Sequence, residues 1–188
     1  SYGLEWRQDS FTQGAGEPLS YALGTFANIP GSQVFPGFKP SDGGSFDRQN
    51  VSVYAGLEGD VSDRLSLGLA ARYEDYSDFG TTSNWKLSSR YAFSDAVALR
   101  ATVSTGFRAP SLQQQYFQST ATNFIGGVPF DIVTFRVNNP AAIALGAEPL
   151  RAEESTNFSI GLVLQPVEGL YVTVDAYQIE VEDRITLS

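Results

Sequence analysis

The sequence predicts an all-β fold, an antiparallel up-and-down meander of about seven strands that forms one arc of a large transmembrane β-barrel. Three observations lead there. Apolar and polar residues alternate with period two over most of the chain, the mark of strands with two unlike faces. Tight turns alternate with long loops, so the short connections gather at one end of the meander and the long ones at the other. The polar face is also unlike the Lys/Glu-rich coat of a soluble sheet, because Gly, Ser, Thr and Ala fill it between basic residues.

The strands follow in order. An opening strand sets Tyr2, Leu4 and Trp6 against Gly3, Glu5 and Arg7. Over 51–59, Val51, Val53, Ala55 and Leu57 oppose Ser52, Tyr54, Gly56 and Glu58. Over 65–74, Leu65, Leu67, Leu69, Ala71 and Tyr73 oppose Ser66, Gly68, Ala70, Arg72 and Glu74. The next pattern sets Trp85, Leu87, Ser89, Tyr91 and Phe93 against Lys86, Ser88, Arg90 and Ala92. From Val97 to Arg108, Leu99, Ala101, Val103, Thr105 and Phe107 oppose Arg100, Thr102, Ser104 and Gly106. After a long gap, Phe158, Ile160, Leu162 and Leu164 oppose Asn157, Ser159, Gly161 and Val163. From Leu170 to Ile179 the parity is mixed, which predicts either two covered faces or a bulge. The tight connections are 60–64, 94–96 and 166–169, and the long ones are 12–46, 77–84 and 109–153. Aromatics mark the ends of the apolar face: Phe107 lies ten residues from Val97, and Trp85 eight from Phe93. At about 3.4 Å per residue and a tilt of ~40°, those spans are roughly 20–26 Å, the height of a membrane barrel's apolar band.

Composition excludes much chemistry. Lys and Arg total 12 against 21 Asp and Glu, a net charge of −9, which argues against nucleic-acid binding. With neither Cys nor His, thiol nucleophiles, His-containing triads and imidazole metal sites are absent. No nucleophile–base pair stands at usable spacing, so no enzyme activity and no cofactor are expected. Glu153 and Glu154 are adjacent, and neighbours on a strand point to opposite faces. Glu74, Asp75 and Asp78 cluster without the spacing of a calcium loop. Gly43-Gly44 and Gly126-Gly127 are turn signals, since no phosphate-binding pattern follows. No apolar run is long enough for a transmembrane helix or a signal peptide. The missing Met and a strand number that does not close a bacterial barrel predict a piece of something longer, 1–188 being one partial barrel domain.

Three segments carry a family resemblance. Ser104-Thr105-Gly106-Phe107-Arg108-Ala109-Pro110-Ser111-Leu112 resembles a recurrent feature of TonB-dependent receptors. The segment from Leu150 to Gly161, with Glu153 and Ser155, is similar to a strand of that family. Gly169-Leu170, Thr173, Asp175, Tyr177 and Ile179, followed by Asp183 and Ile185, resemble its hairpin partner. The similarity covers 46–188 well, and 1–45 only as a strand plus a variable loop. It implies a 22-stranded barrel in the outer membrane of Gram-negative bacteria, filled by an N-terminal plug. Such a receptor takes up a scarce nutrient complex (siderophore-iron, haem, cobalamin or a glycan) with energy delivered through TonB. The implied partners are membrane lipid and lipopolysaccharide, the plug and through it TonB, and a small metal chelate or glycan. Neither a plug nor a TonB-contacting segment is expected within 1–188.

The candidate residues fall in two groups. Arg108 stands where a strand gives way to the longest loop, placed to steer an anionic ligand or to pair with a wall carboxylate. Phe35, Phe38, Tyr116, Phe117, Phe124 and Phe130 are candidate ligand-stacking rings or, alternatively, anchors of their own loops. Arg72, Lys86, Arg90, Arg100, Glu58 and Glu74 are candidates for a face turned to a lumen or plug. Two other functions fit the pattern: a soluble β-sandwich that binds carbohydrate or another ligand, and a passive porin-type channel.

Overall fold

The computed structural model describes residues 1–25, 30–31 and 36–186. Its strands are β1 (Tyr2–Gln13), β2 (Gly44–Ser62), β3 (Leu65–Tyr76), β4 (Gly80–Ser94), β5 (Val97–Arg108), β6 (Ser119–Ile125), β7 (Val128–Thr134), β8 (Glu153–Val167) and β9 (Leu170–Glu182). Seven of them form one sheet in the order β1-β2-β3-β4-β5-β8-β9, and β6 pairs only with β7. Neighbours are antiparallel, as a meander requires. The chain divides into two compact units, one of residues 1–7, 49–109 and 151–188, the other of 8–48 and 110–150.

In the first unit the alternation of the sequence becomes two faces. One cross-strand row runs Leu57, Leu69, Leu87, Val103, Phe158, and another runs Tyr91, Leu99, Leu162, Val174. The opposite face carries rows such as Glu58, Gly68, Ser88, Thr102, Ser159. No second layer covers the apolar rows among the described residues. Leu69 is 56% exposed, Leu67 38% and Ile160 39%, while the buried hydrophobics of this unit among the described residues are Tyr76 and Ala98. A soluble sandwich would bury those rows in its core, so that alternative is excluded. What holds the unit together is the backbone ladder, which satisfies N–H and C=O groups from strand to strand as a lipid environment demands. No described helix is long and apolar enough to cross a membrane.

Three expectations are corrected. The connection 77–84 is not a long loop: β3 ends at Tyr76, β4 begins at Gly80, and those two residues face each other. Thr81, Thr82, Ser83 and Asn84 read as loop because they are polar, yet they continue the ladder beyond the apolar rows. The mixed parity of β9 has no bulge behind it. Pairing with β8 is unbroken from Glu154–Glu182 to Leu164–Val172, and it shifts only at the turn, before Val167–Leu170. Val172 and Val174 therefore join the apolar face, while Tyr177 and Ile179 sit on the polar one, in the edge strand of the sheet. The segment 109–153 is not all loop, because it contains the β6–β7 hairpin.

That hairpin belongs to the second unit. It turns through Gly126 and Gly127, at φ 60° and 82°, a left-handed pair that suits a two-residue hairpin turn and that L side chains resist. Short helical turns fill the rest: Pro18–Tyr21, Pro40–Asp42, Leu112–Tyr116 and Pro140–Ala144. Ser111 caps Leu112–Tyr116, its hydroxyl accepting from the Gln114 N–H while the Gln114 side chain accepts from the Ser111 N–H. Asn139 caps Pro140–Ala144 through the Ala141 N–H.

Candidate functional site

The second unit holds most of the candidate rings. Its framework is a set of polar side chains reaching across from one loop to the other. Asp42 is buried, and its carboxylate accepts from the Lys39 N–H at 3.0 Å and from Gln118 Nε2 at 3.1 Å. Gln13 Nε2 donates to the Gln118 carbonyl at 2.6 Å. Arg48, also buried, donates to the Pro110 carbonyl. Lys39 Nζ lies 3.1 Å from the Asp131 carboxylate, which also accepts from the buried Thr122 hydroxyl at 2.9 Å. The Lys39 ammonium, and next the Thr122 hydroxyl, hold the Asp131 carboxyl below the usual carboxylate range. None of Gln13, Asp42, Phe46, Gln118 and Arg136 is singled out by sequence pattern. Each is an ordinary loop residue until its distant partner is known.

The rings sort into two kinds. Phe38 and Phe117 meet edge to face with centroids 5.8 Å apart. Tyr116 stacks on Phe46 at 4.2 Å, with the planes 3° from parallel. These four rings already pack within the unit. Phe124 and Phe130, 50% and 48% exposed, pair with no other ring among the described residues. Phe130 lies opposite Asn123 and Phe124 opposite Pro129, so they occupy opposite faces of the hairpin. Ile125, Val128 and Ile132 share the Phe130 face, all well exposed. Phe35 lies outside the described residues.

On the first unit, Arg72, Lys86, Arg90, Arg100, Glu58 and Glu74 share the polar face. Arg72 is the centre of a network. Its guanidinium donates to Glu74 at 2.6 Å, Ser52 at 2.8 Å and Glu5 at 3.0 Å, and lies 5.5 Å from the centre of the Tyr54 ring. The buried Glu74 also accepts from the Tyr76 hydroxyl at 2.8 Å. No group of three or more acidic side chains suited to a metal occurs among the described residues. Arg100 reaches over β8 to Asp175 with three contacts of 2.7–3.0 Å. Gly161 lies directly between them in register, and a Cβ there would stand 1.9 Å from Asp175 Oδ1. Lys86, Arg90 and Glu58 make no ion pair among the described residues. Arg90 faces Arg100 across the strands, like charge against like.

Arg108 is paired. It stands opposite Glu153 in register, with Nε 2.8 Å and Nη2 2.5 Å from the carboxylate, and Ile185 donates its N–H to the same carboxylate. The resemblance segments are thus physically joined. Arg108 of the first grips Glu153 of the second, Ile185 of the third closes on Glu153, and Asp175 of the third crosses Gly161 of the second.

The profile of the family described as TonB dependent receptor-like, beta-barrel, matches residues 1–188. The chain belongs to the TonB-dependent receptor family. It is part of the barrel of an outer-membrane receptor, not of an enzyme family. Among solved structures it is similar to the siderophore receptor PirA from Acinetobacter baumannii, with a TM-score of 0.67 at 17% identity, covering 97% of this chain and 24% of that one. It is also similar to the ferric enterobactin receptor PfeA from Pseudomonas aeruginosa. One PfeA structure gives a TM-score of 0.65 at 16% identity, over 96% of this chain and 23% of the receptor. Another, in complex with enterobactin, gives 0.65 at 14% identity, over 96% and 24%. At such identities the likeness concerns the fold. The chain spans about a quarter of the length of these receptors.

Proposed function

We propose that this chain is the barrel segment of a TonB-dependent receptor that takes up a ferric siderophore, with the second unit contributing to ligand capture. The family match over 1–188 carries the reading, and it favours energy-coupled uptake over a passive pore. The choice of siderophore over haem, cobalamin or glycan leans on neighbours that are siderophore receptors. Within the chain, Phe124 and Phe130 are the ligand-contacting rings, since both keep exposed faces. Phe38, Tyr116 and Phe117 act as their framework. Arg108 serves the wall through Glu153 and is not aimed at ligand. The polar face, with Arg72, Arg100, Lys86, Arg90 and Glu58, lines the interior against the plug, and Glu74 anchors Arg72 there. The apolar face meets lipid and lipopolysaccharide, and TonB acts through the plug.

The test uses the full-length parent receptor in detergent. Equilibrium dialysis is run against ferric enterobactin, haem, cobalamin and a maltooligosaccharide. Retention of the ferric chelate is expected, with up to about tenfold weaker binding in the Phe124→Ala/Phe130→Ala double variant, which removes the ring on either face of the hairpin, one stacking contact being worth up to ~1.4 kcal/mol. Binding of haem, cobalamin or the glycan with no ferric chelate retained would overturn the siderophore reading.

A further inference from the structure

Among the polar bridges of the second unit, one side chain touches both long loops at several points. Arg136 follows the hairpin. Its Nε donates to the Tyr116 carbonyl at 2.9 Å, and its Nη2 donates to the carbonyls of Asp42 and Gly43, the latter at 2.8 Å. These acceptors stand at the ends of the turns Leu112–Tyr116 and Pro40–Asp42. The last carbonyls of a helical turn have no partner inside the turn. One planar guanidinium therefore supplies donors to two such ends at once. Its plane also lies 4.9 Å from the centre of the Phe46 ring, and Phe46 is stacked on Tyr116. A lysine there would lack both the fork and the flat face.

We infer that Arg136 is a positioning residue that latches the turn at 40–43 to the turn Leu112–Tyr116 and sets the arrangement of the rings around it. The latch stands on the geometry alone. Its consequence for capture rests on the siderophore reading above. The neighbouring bonds act in the same direction: Gln118 ties to Asp42 and Ser41, and Phe38 packs on Phe117. Each of these joins the same two loops, Gln118 through one amide nitrogen shared between Ser41 and Asp42. Arg136 fixes the backbone itself on both sides, so its loss frees both segments together. Without it, the Tyr116 and Asp42 carbonyls are left to water, and Tyr116 loses the cation that orders its stacking partner.

The experiment is amide hydrogen exchange by mass spectrometry on the full-length receptor in detergent, comparing wild type, Arg136→Met and Arg136→Lys. In Arg136→Met, exchange over both 38–46 and 111–118 is expected to quicken about tenfold, with 97–108 unchanged as the sign of an intact barrel. Arg136→Lys falls between, and it keeps the test alive should the Met variant fail to insert. Acceleration confined to the hairpin, with 38–46 exchanging as in wild type, overturns the latch. The same proteins are titrated with ferric enterobactin. Weaker binding by the Met variant supports the positioning role, and equal binding despite loosened loops overturns it. Should wild type bind no ferric chelate, the siderophore reading falls while the exchange result still decides the latch.

Discussion

The two units of this chain are stabilised by opposite means. In the first, apolar side chains point outward and remain exposed, and cohesion comes from strand-to-strand backbone pairing plus a few ion pairs on the polar face. In the second, strands cover a smaller share of the residues, and side chains reach across to carbonyls and carboxylates that would otherwise be orphaned. The difference teaches which solvent each unit was built for. A surface that meets lipid gains nothing by hiding leucine but has to satisfy every peptide group internally. A loop in water gains by burying polar groups only when each finds its partner.

The sharpest way to break this contrast is to place charge on each face of the sheet. Leu69→Arg, in the middle of an apolar row, is expected to cost about 2–4 kcal/mol, whereas Ser88→Arg on the opposite face costs little. Urea unfolding of the full-length receptor in liposomes measures both, and equal costs would show that the apolar face does not meet lipid. A smaller loss follows from Gly161→Ala, since its Cβ collides with the Arg100–Asp175 bridge. The clash is with flexible side-chain ends, so the bridge parts while the strand stays in place. Gly161→Ala and Asp175→Asn should therefore lower the melting temperature by similar amounts and together by scarcely more than either alone, a non-additivity that a double-mutant cycle reads directly.

The smallest effect lies in the second unit. The Asp131 carboxyl is held below its usual range by Lys39 and Thr122, so its folded form is favoured while it is ionised. That contribution is complete above the ordinary carboxylate range and fades as pH falls through the lowered value, below about pH 4. Both partners are substantially exposed, so salt should shrink it as well. Protection factors over 128–134, with the intrinsic pH dependence of amide exchange divided out, check the sign when followed against pH, with Asp131→Asn as a flat control.

How much of this was legible beforehand depends on the unit. The faces of β2, β3, β4, β5 and β8 were readable, because a period of two needs only local information. The start of β4 was misread, since Thr81 to Asn84 are polar and nothing nearby says that Tyr76 pairs with Gly80. β9 was ambiguous for a different reason. Tyr177 and Ile179 obey the pleat, but their side chains do not match the polar face on which the pleat puts them. Arg108 was singled out for its place after a strand, yet its partner Glu153 lies 45 positions away, and only the alignment of β5 with β8 brings them together. Arg136 was invisible, because its acceptors are backbone carbonyls, which every residue has.

By itself the sequence determined the all-β class, the two-faced strands, three of the tight turns, and the family to which three short segments point. These rest on alternation, turn chemistry and residue identity, all of which are written along the chain. The tertiary structure alone decided the partners: Arg72 with Glu5 and Glu74, Arg100 with Asp175 over Gly161, and Arg136 with two loop ends. Register and loop closure choose among many compatible acceptors, and that choice is made in three dimensions, where residues far apart in order become neighbours.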